Sequence, residues 1–254
     1  MNDFNRSFGT PNTVDVGVDT GVRSFMLGVY NKLALGIALA GVLAFVAGTF
    51  DPLRVMLFET QLRWIVMFAP PAILIFANFG MRNPSPVGSA VLYWAVVISM
   101  GLSMGIYFAM AELGLGGMSH MVITKAFLLT AATFAGLSLF GYTTKTDLGP
   151  IGSFAFMAIW GLFLVSMVSF VLPMIFPGLG FLAAGGTFGL IISGGFALLS
   201  AAIIAWQTQA LKEGYYYYAQ DERALSTMTS WGALNFFVTF VNIFTFFLRL
   251  MADD

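Results

Sequence analysis

Cysteine is absent from the 254 residues and histidine occurs once, at His120. The first absence removes disulfides, thiolate metal sites and cysteine nucleophiles together. The second leaves no histidine pair for a zinc site and no HExxH pattern; GxSxG is also missing. Charge is scarce as well, at 9% Asp, Glu, Lys and Arg against about 25% in an ordinary soluble domain. Net charge is −1, without a basic tail or arginine-rich patch, which gives no footing for nucleic acid. No charged residue at all lies between Asp147 and Lys212. A water-soluble fold cannot carry so long an uncharged apolar run, so the chain is a membrane protein.

What is abundant is apolar, 59% of residues, arranged in stretches long enough to span a bilayer of about 30 Å as helices. Seven spans are expected: Lys32 to Phe50, Trp64 to Gly80, Val87 to Met110, Met121 to Tyr142, Pro150 to Leu172, Gly186 to Gln207 and Trp231 to Leu250. The fold class is therefore all-α membrane protein, preceded over residues 1–22 by a polar arm rich in Asp, Asn, Thr and Gly that lacks the order of a cleaved signal sequence. Residues 23–254 form a single transmembrane domain.

Several features within these spans predict how they meet. Gly36, Ala40, Ala44 and Gly48 recur every four residues in the first, and Gly185, Gly189, Ser193, Ala197, Ala201 and Ala205 do so around the sixth, rows that let backbones approach closely. Pro70-Pro71 predicts a kink at mid-depth in the second. Lys125 is close enough to the start of the fourth span to snorkel to the surface. The loop GLGLGGMSH is glycine-rich but flanked by membrane spans rather than a strand and a soluble helix, which argues against a phosphate cradle. Tyr215 to Tyr218 suit the headgroup layer.

In the seventh span Asn235, Thr239, Asn242, Thr245 and Arg249 share one side and Phe236, Phe237, Phe240, Ile243, Phe244 and Phe247 the other. Hydrocarbon cannot satisfy amides, so the polar side is expected to face other helices or water between them. With the amino terminus in the cytoplasm, Arg6, Arg23, Lys32, Arg82, Lys145, Lys212 and Arg223 fall inside, and Arg54, Arg63, Lys125 and Arg249 outside. That imbalance favours this orientation. It puts Arg82, Gln207 and Trp231 near the cytoplasmic face and Thr239 about two turns deep.

No acidic residue falls inside a span, which argues against both an enzyme and an acid-driven carrier. What remains at depth is neutral: Asn78, Asn235 and Asn242 suit interhelical hydrogen bonding, and the alternative reading is a polar lining for a permeation path.

Four segments carry a family resemblance: RSFMLGVYNKLALGIALAG near the start, ITKAFLLTAATFAGLSLFGYTTKTDLG at the fourth span, AWQTQALKEGY ending the sixth and GALNFFVTFVNIFTFFLRL at the seventh. In this order they resemble the Bax inhibitor-1 (transmembrane Bax inhibitor motif) proteins, in particular bacterial members. The resemblance implies seven helices with the last at the centre and, for some members, a proton-sensitive calcium leak. It also implies an aspartate pair in the sixth and seventh helices that senses pH, latched by an arginine ending the second. Arg82 matches the arginine; the aspartate positions read Gln207 and Thr239 here. Neither residue titrates, and a neutral pair offers no charged oxygen to Ca²⁺. The expectation is a non-enzymatic protein of the bacterial inner membrane, without cofactor or metal. It acts as a regulator or accessory partner of another membrane protein, such as a membrane protease or larger complex; the alternative is a calcium or cation leak without the usual acid gate.

Overall fold

A computed structural model describes residues 13–80, 84–176, 178 and 187–252. All regular structure among them is helical: α1 Thr13–Thr49, α2 Asp51–Arg54 running into a π-helical turn Val55–Glu59, α3 Leu62–Gly80, α4 Pro86–Glu112, α5 His120–Thr143, α6 Gly149–Ile175, α7 Thr187–Tyr218 and α8 Glu222–Ala252. Six helices are long and apolar enough to cross a membrane. The count becomes seven when the bent pair Asp51–Glu59 and Leu62–Ala77 is taken as one broken span.

The centre is α8. Phe236, Phe237, Phe240 and Ile243 are buried in one core with Val29 and Leu33 of α1, Tyr93, Val96 and Val97 of α4, and Phe134 of α5. On its other side α8 packs along α7, while α6 lies outside α7 and α3 outside α4. The phenylalanine side of α8 is thus the side that enters the main core, since burying rings against rings satisfies packing without any hydrogen bond. Phe134 meets both Phe236 and Phe240 edge-on, with centroids 5.4 and 6.0 Å apart.

The two small-residue rows behave as expected. A methyl placed on Gly101 of α4 would lie 2.8 Å from the Ala40 Cα of α1, and one on Gly105 would lie 2.8 Å from the Ala47 Cβ. These helices touch backbone to backbone, and any larger residue would force them apart. Along α7 the row Gly189, Ser193, Ala197 and Ala205 is likewise buried, with Gly141 of α5 against the Ala205 backbone. Gly185 lies outside the described residues.

The expected positions shift in three places. Helix α1 begins at Thr13, within the stretch read as a polar arm, and Val22, Phe25 and Met26 are buried. Helix α7 continues past Gln207 through the tyrosines, leaving Tyr217 exposed and setting Tyr215 beside Phe25, 5.6 Å between centroids. The sharp change of direction expected at Pro70-Pro71 lies earlier. The chain turns by 77° between Glu59 and Leu62, where Thr60 is extended and its Oγ1 accepts from the Leu62 N–H. Helix α3 runs through both prolines. Pro70 has no N–H to give the Val66 carbonyl, and the Ser103 hydroxyl of α4 donates to that oxygen instead.

Candidate functional site

Of the positions singled out by sequence, Gln207 and Asn235 meet at the α7–α8 seam. Toward the end of α7, Trp206, Gln207, Ala210 and Leu211 share one lining with Met228, Trp231, Gly232 and Asn235 of α8. Gly232 allows the close approach, since a methyl there would sit 2.9 Å from Leu211 side-chain carbons. Between α6, α7 and α8 opens a cavity of about 340 Å³, whose lining includes Phe156, Trp206, Gln207, Trp231 and Asn235. The indole of Trp206 lies on Gly152 of α6, closing one wall.

The polar side chains lining this cavity are neutral. Gln207 Oε1 and Trp231 Nε1 are both buried and have no hydrogen-bond partner among the described residues, an acceptor and a donor in one interface. Each such group costs about 1–3 kcal/mol unless something bridges it. Asn235 is an exposed residue on the cavity lining. Thr239, one turn deeper, is buried and donates its hydroxyl to the Asn235 carbonyl at 2.7 Å, so its hydrogen is spent within its own helix. Asn242 and Thr245 are half-buried, and Thr245 likewise donates to the Val241 carbonyl at 2.8 Å. Arg249 closes the stripe by donating through Nη1 to Ser193 Oγ of α7 at 2.7 Å. The Asn/Thr side therefore faces α7 and the cavity rather than the deepest core. Gln207 and Asn235 come together on one lining; Thr239 lies outside it. The side chain of Asn78 and the whole of Arg82 fall outside the described residues, as does any latch between Arg82 and this seam.

Several engaged residues escaped the sequence reading. Gln209, two positions after Gln207, is the amide with full work: its Oε1 accepts from the Leu148 N–H at 2.8 Å and its Nε2 donates to the Thr146 carbonyl at 2.9 Å, clamping the α5–α6 loop. Thr208 lies 3.1 Å from Ser138 Oγ of α5, which in turn bonds the Tyr30 hydroxyl of α1. Lys212 donates to the Tyr142 carbonyl at 3.1 Å with its ammonium 4.9 Å from that ring's centroid. The signal was the segment AWQTQALK itself, where polar residues crowd the end of an apolar helix. Lys32 is a further case: it donates to Ser230 Oγ at 2.7 Å, joining α1 to α8.

With this geometry in hand the comparisons decide the family. A family model described as "Inhibitor of apoptosis-promoting Bax1" matches residues 22–254. The chain belongs to the Bax inhibitor-1 family. A relative in Caulobacter vibrioides, named only as an uncharacterized protein, is 39% identical over 100% of this chain and 99% of its own. The uncharacterized protein RP147 of Rickettsia prowazekii is 31% identical over 92% of both chains. The inner membrane protein YbhL of Escherichia coli is 27% identical over 92% of this chain and 93% of its own. As a Bax inhibitor-1 family member the chain is a multi-pass membrane protein.

Proposed function

We propose that this Bax inhibitor-1 family protein is not an enzyme and acts by contacting other membrane proteins, as a regulator or accessory subunit in the bacterial inner membrane, amino terminus in the cytoplasm. The observation that carries this reading is the chemistry of the seam: Gln207 and Thr239 gain and lose no proton, and the Thr239 hydroxyl is committed to Asn235. A centre without a titrating switch keeps one shape, and a fixed shape suits a packing partner. Helix α6 offers the surface. It lies at the periphery, packs chiefly on α7, and leaves Phe154, Met157, Trp160 and Leu164 exposed. The membrane is the one named for YbhL.

Native co-purification under gentle solubilisation tests the proposal. Recovery with a stoichiometric membrane-protein partner is the expected result, and recovery solely as a lone monomer overturns it.

A second reading, a calcium or cation leak, draws on the open polar atoms of Gln207 and Trp231 beside Asn235. Cation flux into proteoliposomes across acidic to alkaline pH separates the two: robust flux selects the leak, and its absence selects the contact role.

A further inference from the structure

The ring of helices around α8 is not closed. Helix α1 packs on α4 and α5 packs on α7, but α1 and α5 make almost no direct contact and are joined by the hydrogen bond between Tyr30 and Ser138. Two cavities occupy the gap. One of about 470 Å³ is lined by Met26, Leu27, Phe134, Leu139, Tyr142 and, at its end, Arg23. The other, about 280 Å³, is lined by Ala40, Gly41, Phe127, Phe240 and Phe244 among others. Phe134 of the first and Phe240 of the second touch ring to ring, so one aromatic wall runs along both. From Arg23 to Ala44 the crevice follows about 30 Å of α1, the thickness of the hydrocarbon layer.

The charge of the crevice is confined to one end. Arg23 is exposed and has no hydrogen bond or ion pair among the described residues. Lys212 stands over the ring of Tyr142, which lines the same end. The rest of the lining carries no charge: the Tyr30 and Ser138 hydroxyls satisfy each other, the Thr124 hydroxyl donates to the His120 carbonyl at 2.8 Å, and apart from Tyr107 the remainder is apolar. A cation at one mouth and a hydrocarbon slot behind it match a molecule with a phosphate at one end and a saturated tail behind it. We propose that the α1–α5 crevice binds an anionic phospholipid, its phosphodiester on Arg23 and one acyl chain laid past Phe134 onto Phe240. The tail would then touch the central helix itself, one residue beyond Thr239.

Two kinds of variant separate head from tail. Arg23→Gln removes the headgroup contact and leaves the slot. Gly41→Leu plugs the slot from a position where a Cβ meets nothing within 4 Å. Leu139→Trp narrows it from an exposed position and keeps the test alive should Gly41→Leu fail to fold. The full chain is reconstituted in bilayers holding equal phosphatidylglycerol and phosphatidylcholine, and retained lipid is read by native mass spectrometry. The wild type is expected to retain phosphatidylglycerol in about fivefold preference, Arg23→Gln to retain both lipids equally, and either plug to retain little of either. Inorganic phosphate should not displace the lipid. The proposal is overturned by equal retention of the two lipids in the wild type, by an unchanged preference in Arg23→Gln, by full retention in both plugs, or by displacement with phosphate alone, which would mean an anion site without a tail.

Discussion

Tyr93 of α4 donates its hydroxyl to the Lys32 carbonyl of α1 at 2.6 Å, directly above Gly36, whose missing side chain leaves room for the phenol. The Lys32 ammonium turns the other way, 5.3 Å from the Tyr93 centroid and 2.7 Å from Ser230 Oγ. Three helices are thereby tied at one level of the bundle, through residues 61 and 198 positions apart in sequence. Tyr93 is fully buried, so its ring and hydroxyl both count.

The first prediction concerns this junction. Gly36→Ala drives a methyl into the Tyr93 hydroxyl and within 3.1 Å of Val97 Cγ2, and should cost about 1–3 kcal/mol of stability. Tyr93→Phe alone should cost about 1 kcal/mol for the lost bond. The double variant should be less destabilised than the sum, because removing the hydroxyl relieves the clash; strict additivity of thermal midpoints in detergent would refute the packing assignment.

Gln209→Leu is expected to strip the α5–α6 loop of both clamps, leaving the Leu148 N–H and the Thr146 carbonyl to find water. The cost should be about 2 kcal/mol, with faster proteolysis near Lys145. Gln209→Glu keeps the acceptor for Leu148 but sets an oxygen against the Thr146 carbonyl, and should fare no better. Limited trypsin digestion of the three proteins checks this.

Gly117 has φ +66° and abuts the Ala252 carbonyl at the end of α8. Gly117→Ala therefore meets a left-handed backbone penalty of about 1–2 kcal/mol and a clash with that oxygen. Gly114 has φ +62° in the same loop but open space around it. Gly114→Ala should show the backbone penalty alone, so the larger fall in melting midpoint is expected at Gly117.

Gln207→Asp combined with Thr239→Asp should create a pH response that the wild type lacks. Two carboxylates close together in a poor dielectric repel, which holds a proton on one of them above the usual carboxylate range. The repulsion is absent at low pH and grows as that proton leaves, so the seam should loosen on the alkaline side. Tryptophan fluorescence at Trp206 and Trp231, followed across pH, reads it; a flat profile in the double variant would show that these two positions do not face one another.

How legible the sequence was depended on the range of the interaction. The row from Gly36 to Gly48 predicted a tight helix seam and the structure supplies its partners, Gly101 and Gly105. The proline pair predicted a kink from a purely local rule, while the turn was made by Thr60 and the orphaned Val66 carbonyl was met by Ser103, a residue 37 positions away. In AWQTQ the family resemblance points to Gln207, whereas Gln209 holds the loop; one amide differs from the other only in what lies across from it. The Asn/Thr stripe of α8 was placed toward other helices, and it does face α7, but the phenylalanine side enters the larger core.

By itself the sequence determined that this chain lives in a membrane, which stretches are apolar enough to cross it, and which rows of small residues admit a close neighbour, because bilayer thickness and the cost of burying charge act on each segment separately. Only the tertiary structure decided that α8 is wrapped on its aromatic face, that Gln207 and Trp231 find no partner among the described residues while Gln209 does, and that α1 and α5 stand apart over a crevice ending at Arg23. Those outcomes rest on which helices become neighbours, and a helix that is apolar on nearly every side carries no local mark of who its neighbour will be.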